Sequence, residues 1–121
     1  DYLDSGNVSL LNSATAASVC AWMYYNPASV TADGTIISKF SASGWAMWVD
    51  DVAILSGRTN TISFTISGAG STPGRVEGST NLVTPGRWDH YCGTFQGGSF
   101  IRLYKNGVLD QENTSSILAS A

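Results

Sequence analysis

The stretch RWDHYCGTF (Arg87–Phe95) decides the fold, because it is rich in aromatic residues and its side chains alternate in character. A period of two residues is typical of a β-strand whose two faces have different surroundings. The turn residues Pro85-Gly86 precede the stretch, and Gln96-Gly97-Gly98 follow it. The stretch therefore predicts a strand that ends in a tight hairpin, with Cys92 near its middle.

The rest of the chain shows the same organisation, with short alternating runs between turn residues and no helical periodicity. Asn106-Gly107 is the strongest hairpin signal, because a type I′ turn needs positive φ at both central residues. In residues 61–67 the isoleucines and Phe64 are expected to face the core, and the Thr and Ser residues to face water. Residues 8–12 fit either a short strand or one turn of helix. The predicted strands are 18–25, 34–40, 44–49, 51–55, 61–67, 74–80, 87–95, 99–105 and 108–113.

Length and composition limit the possible classes of protein. The chain has 121 residues, so we expect one domain over residues 1–121, and its 43% of apolar residues are enough to build a core. Charged residues make up 12% and the net charge is −3, which excludes the basic surface of a nucleic-acid-binding protein. No apolar run is long enough to predict a membrane-spanning helix.

Cys20 and Cys92 are the only cysteines, and each lies in the middle of a predicted strand. Two strands that are distant in sequence can be neighbours in a sandwich, where a disulfide forms in an oxidising compartment. The alternative is a pair of buried, reduced thiols that pack as small apolar groups. The spacing contains no metal-site pattern, and it leaves the disulfide and the free thiols equally open.

A resemblance to a known family is carried by SVCAWMYY (18–25), GTIISKF (34–40) and TPGRWDHYCGTFQGGSFIRLYKNGVL (84–109). In this order they closely resemble the laminin-G-like and pentraxin-like jelly rolls, which share the concanavalin A-like sandwich. The resemblance runs from about Asp1 to Glu112 and is most specific over 84–109. It implies an all-β fold, an antiparallel jelly-roll sandwich of two sheets.

The resemblance also implies roles for four residues. In pentraxins a disulfide joins the strands that match those of Cys20 and Cys92, so this bridge is expected here. Trp22 and Trp88 lie in the most family-like strands and are expected in the core.

Relatives carry further strands at both ends, so we expect this chain to lack terminal strands. It is then either part of a longer chain or completed by strands from another chain.

Catalysis is not predicted. The two glutamates, Glu77 and Glu112, lie in separate segments, whereas related glycosidases carry paired carboxylates on one strand. The sole histidine, His90, follows Asp89, and neighbouring residues of a strand point to opposite faces. No phosphate loop, zinc pattern or dinucleotide motif is present. We therefore expect a protein that is not an enzyme and requires no cofactor.

Two sets of residues are candidates for ligand binding. Trp45 and Trp48 have opposite parity along one strand, so one indole must face away from the core, where it can contact a ligand such as a sugar. The adjacent carboxylates of Asp50 and Asp51 are a candidate Ca²⁺ site, because Ca²⁺ prefers oxygen ligands.

The combined prediction is a non-catalytic recognition module that binds a glycan or a surface protein. Its expected location is extracellular, on a cell surface or on a virion surface. The alternative is a structural subunit of a filament, coat or decoration layer that self-associates through open sheet edges. Neither hypothesis includes a nucleic-acid partner or a membrane span.

Overall fold

The structure is a computed structural model that describes residues 4, 6, 14–26, 34–40, 44–50, 59–67, 74–115 and 117–120. The predicted segments 8–12 and 51–55 lie outside the described residues. Within the described residues there is no helix, and the strands match the predicted ones closely. They are β1 (Ala16–Tyr24), β2 (Gly34–Phe40), β3 (Gly44–Asp50), β4 (Thr61–Ser67), β5 (Gly74–Glu77), β6 (Trp88–Gln96), β7 (Phe100–Lys105) and β8 (Val108–Asn113).

The strands form two antiparallel sheets of four strands each, which confirms the predicted sandwich. The first sheet has the order β1-β6-β7-β8, and the second has the order β2-β3-β4-β5. The turn between β7 and β8 has positive φ at both central residues, 49° at Asn106 and 80° at Gly107. This is the conformation that the Asn-Gly pair predicts.

The core lies between the two sheets and is built mainly from alternate residues of β3, β4, β6 and β7. Ile62, Phe64 and Ile66 of β4 face it and are fully buried, as predicted. Across the interface, the first sheet contributes Tyr91 and Phe95 of β6 together with two side chains of β7. The described core comprises Val19, Tyr25, Trp45, Met47, Val49, Ile62, Phe64, Ile66, Val76, Val83, Tyr91, Phe95, Ile101 and Leu103.

The opposite face of β4 differs from the prediction. Thr61 and Ser63 are fully buried and Thr65 nearly so, whereas the alternation places them in water. β4 lies between β3 and β5, and Trp48 of β3 stands directly opposite Ser63 on this outer face. The prediction that this face contacts water is therefore wrong, because a polar side chain in a central strand is not by itself a sign of exposure.

The disulfide between Cys20 and Cys92 is present. The two cysteines lie directly opposite each other on the adjacent strands β1 and β6 of the first sheet. Cys20 is exposed, so the bridge lies on the outer face of this sheet. The bridge therefore joins two neighbouring strands and does not connect the two layers of the sandwich.

Candidate binding surface

Trp22 and Trp88 face solvent, so the prediction that they lie in the core is wrong. Their side chains are 65% and 63% exposed on the outer face of the first sheet. The inner face of these two strands carries other side chains, among them Val19 of β1 and Tyr91 and Phe95 of β6. Two exposed indoles on one face form an apolar patch, and such patches mark candidate sites for ligand or partner binding.

The exposed rings form two cross-strand pairs, because β1 and β6 are antiparallel and in register. Trp22 stands opposite His90, and their ring centroids are 5.3 Å apart with the planes tilted by 52°. Tyr24 stands opposite Trp88, with 5.8 Å between centroids and a tilt of 54°. These distances are within the range of favourable ring contacts, so each pair holds its rings in place without covering them.

An open pocket of about 410 Å³ adjoins the first pair. It is lined by Trp22, His90 and Asn106. Asn106 is the first residue of the β7–β8 turn, which reaches back to β6. The pocket thus combines an indole face with an imidazole and an amide, which is a typical composition for a small polar ligand with an apolar side. We call Trp22, Tyr24, Trp88, His90 and Asn106 together the aromatic surface.

Asn106 is fixed in position by three hydrogen bonds. Its backbone N–H donates to the carbonyl oxygen of His90 at 2.8 Å, and its side-chain oxygen accepts the backbone N–H of His90 at 2.9 Å. Its amide nitrogen donates to Asp89 at 2.8 Å. An amide has two N–H donors and two acceptor lone pairs, so these contacts leave capacity on both side-chain atoms for a ligand hydroxyl.

Asp89 lies beneath the aromatic surface, on the inner side of β6, and is 3% exposed. Arg87 binds its carboxylate through two nitrogen atoms, each at 2.9 Å, and Lys105 Nζ lies 3.1 Å from it. The hydrogen bond from Arg87, the largest cause, and those from Asn106 and Lys105 hold the pKa of Asp89 well below its usual range. Burial raises the pKa of the neighbouring Tyr91 hydroxyl.

This network links the residues on either side of the aromatic surface. Arg87 precedes Trp88, Asp89 lies between Trp88 and His90, and Asn106 closes the pocket. Because a buried carboxylate is costly to leave without partners, the network holds this end of β6 in one arrangement. The aromatic rings are therefore displayed on a rigid base rather than on a mobile loop.

The structure identifies which tryptophan of the predicted pair faces away from the core. Trp45 is 5% exposed and belongs to the core. Trp48 is half-buried on the outer face of the second sheet, on the side that carries Ser63. Of the two residues, only Trp48 has the predicted outward orientation, and its contact with a ligand stays a prediction.

The calcium prediction remains untested. Asp51 and the side chain of Asp50 lie outside the described residues, although the backbone of Asp50 pairs with Thr61. Among the residues that are described, no group of three His, Cys, Asp or Glu side chains is placed to hold a metal ion.

The residues considered for catalysis are separated in the structure. Asp89 and His90 point to opposite faces of β6, as the strand geometry predicts. Glu77 forms an ion pair with Arg75, and Glu112 forms one with Arg102 on β7. These contacts provide no pair of carboxylates around a common site.

A laminin G family model, described as the concanavalin A-like lectin/glucanases superfamily, matches residues 1–120. The chain belongs to this family. No curated relative matches it. The resemblance seen in residues 84–109 is thereby confirmed over almost the full length. In the parts of the chain that the structure describes, no helix is both long and apolar enough to cross a membrane.

Sequence reasoning missed the aromatic surface, although a signal for it was present. The alternation of SVCAWMYY places Cys20, Trp22 and Tyr24 on one face, and that of RWDHYCGTF places Trp88, His90 and Cys92 on one face. A disulfide between the two cysteines brings those two faces together, and where the two strands are neighbours in one sheet the faces lie on the same side of it. With the register set in this way, the rings pair as the structure shows.

Proposed function

We propose that this chain is a non-catalytic recognition module that binds carbohydrate at the aromatic surface. The observation that carries the proposal is the indole of Trp22, which is 65% exposed at the wall of a pocket shared with His90 and Asn106. The family to which the chain belongs supports a binding role for glycan or protein. Fold alone does not fix function, so the proposal depends on this site.

The composition of the pocket suits a sugar ring. One face of a pyranose presents C–H groups, which pack on an indole, while its hydroxyl groups need donors and acceptors around the rim. Trp22 supplies the indole. Asn106 retains donor and acceptor capacity, and His90 contributes a ring with polar nitrogen atoms. A protein ligand would be favoured by a larger and drier apolar contact.

The surroundings of the site support a location outside the reducing cytosol. The Cys20–Cys92 disulfide lies on the same face as Trp22, because Cys20 precedes Trp22 by two residues along β1. Disulfides persist mainly in oxidising environments. This supports an extracellular position, on a cell surface or on a virion surface.

The alternative, a structural subunit that assembles through sheet edges, also stays a prediction. Within the described residues, β1 pairs only with β6, and β8 pairs only with β7, so each has one side without a described partner. Light scattering on the purified protein separates the two hypotheses. A monomer that binds glycan supports the recognition module, and a large regular assembly without glycan binding supports the structural subunit.

The direct test is a glycan array with the wild-type protein and the Trp22→Ala variant. We expect binding to one or a few glycans and a loss of about tenfold or more in Trp22→Ala, since stacking on the indole is removed. Val108→Ala is the matched control, because Val108 is 70% exposed on the same sheet but lies outside the aromatic surface. Binding that Trp22→Ala leaves unchanged would contradict the proposal, as would a broad array without any hit.

A further inference from the structure

We infer that the aromatic surface has a second sugar subsite, formed by Trp88 and Tyr24, and that the ligand is a linear oligosaccharide. This inference rests on the proposed function, in which the pocket at Trp22 binds the first sugar ring. The two subsites would bind two successive rings of one chain. Such a ligand lies flat across the outer face of β1 and β6, and its two ends extend beyond the site.

The spacing of the two ring pairs supports two subsites. Each pair is directly opposite in register, and the pairs are two residues apart along both strands. Two residues of a strand span about 6.7 Å. The two indoles lie on the diagonal of this rectangle, Trp22 on β1 and Trp88 on β6, so roughly 7–8 Å separates their backbones. Indoles on backbones this close together can contact two rings of a single oligosaccharide chain.

The exposure of the second pair shows that it is available to a ligand. Trp88 is 63% exposed and Tyr24 is 50% exposed, whereas aromatic residues that serve only packing are largely covered. Tyr24 also carries a hydroxyl group, which is a donor and an acceptor for a sugar hydroxyl. The second pair therefore repeats the combination of an indole and a polar ring found at the first.

The shape of the site favours binding of sugar rings inside an oligosaccharide rather than of its terminal ring. The pocket at Trp22 is open, and Trp88 continues the surface beyond His90. A site that recognises a chain end needs walls that enclose the terminal ring. A surface formed by side chains of two adjacent strands instead fits a flat ligand. Equatorially linked chains, such as β-1,4-linked glucose, N-acetylglucosamine, xylose or mannose, present the C–H faces of successive rings in this way.

The test is an NMR titration of the full chain with the cello-, chito-, xylo- and manno-oligosaccharides, each as monomer, dimer, trimer and hexamer. We expect one of the four series to bind with an affinity that rises about tenfold from monomer to dimer and then levels off. The indole N–H signal of Trp22 should shift with the monomer. That of Trp88 should shift only with the dimer and longer chains.

Trp88→Ala provides the decisive variant, since its exposed side chain can be removed without disturbing the core. We expect it to abolish the gain from monomer to dimer while monomer binding at Trp22 persists. Val108→Ala should retain the full gain. Equal affinity for monomer and hexamer, an undiminished gain in Trp88→Ala, or no binding of any of the four series would overturn the inference. If the array still shows a glycan that depends on Trp22, the proposed function stands and the second subsite alone is rejected.

Discussion

Gly93 shows how a single residue sets the distance between the two sheets. It lies on the inner face of β6, and the ring of Phe64 on the opposite sheet occupies the space where a side chain would begin. A Cβ atom at this position would lie 2.5 Å from Cδ1 and 2.7 Å from Cδ2 of that ring. Phe64 is fully buried, so its ring has no free space into which to move.

We therefore expect Gly93→Ala to lower the free energy of unfolding by about 1–3 kcal/mol, the usual cost of overpacking a core. The measurement is urea unfolding followed by circular dichroism. Ser18→Ala, an exposed position on the adjacent strand β1, is the control and should change stability by less than about 0.5 kcal/mol. Adding Phe64→Leu to Gly93→Ala should recover part of the loss. A Gly93→Ala variant as stable as the wild type would show that the sheets can separate locally.

The same contact explains why the orientation of β1 and β6 could not be predicted. Alternation correctly gave each strand two faces, but both faces of β1 are apolar, with Trp22 on one and Val19 on the other. Which face turns inward depends on the opposite sheet, where Phe64 and Trp45 already fill the space. At Gly93 the ring of Phe64 leaves no room for a side chain, so this face of β6 turns inward and Trp88, on the other face, turns to solvent. Turn residues and strand spacing can be recognised in a short stretch of sequence, whereas the fit between Gly93 and Phe64 depends on both sheets.

At the scale of elements, Asp89 joins β6 to β7 and to the segment before β6. Its carboxylate is held by Arg87, Lys105 and Asn106. These contacts place its folded-state pKa below the ordinary value of 3.8. A group with a lowered folded pKa stabilises the protein fully above its unfolded pKa. That contribution is lost as the pH falls through the folded pKa.

We expect Asp89→Asn to lower the free energy of unfolding by about 2 kcal/mol at neutral pH, because hydrogen bonds to a charged group are lost. The difference from the wild type should shrink as the pH falls below about 4, because Asp89 then takes up a proton in the unfolded state while the folded protein keeps it charged to a lower pH. Urea unfolding at about pH 7, 5 and 3 measures this dependence. Glu112→Gln, which removes a solvent-exposed ion pair with Arg102, serves as the control and should have little effect at any pH. A constant difference across this pH range would argue against the role of the Asp89 charge.

At the scale of the whole molecule, the disulfide affects both sheets, because the second sheet lies within the segment of chain that the bridge closes into a loop. Cys20 and Cys92 are neighbours in the first sheet, yet 72 positions separate them in sequence. That intervening chain contains β2, β3, β4 and β5, which is the whole second sheet. The bridge therefore closes a loop that contains the strands of the second sheet. This loop restricts the freedom of those strands in the unfolded state, although the bridge makes no contact between the two layers.

Replacing both cysteines, as Cys20→Ala with Cys92→Ala, should thus destabilise both sheets and not only the β1–β6 pair. The chain-entropy relation gives a loss of roughly 4 kcal/mol for a loop of this length. Urea unfolding measures the total, and hydrogen exchange at the amides of β4, a central strand of the other sheet, measures the effect on the second sheet. Wild-type protein treated with a reductant should approach the variant, while the variant itself should not respond. A loss confined to amides of β1 and β6 would mean that the bridge acts only locally, and the loop argument would fail.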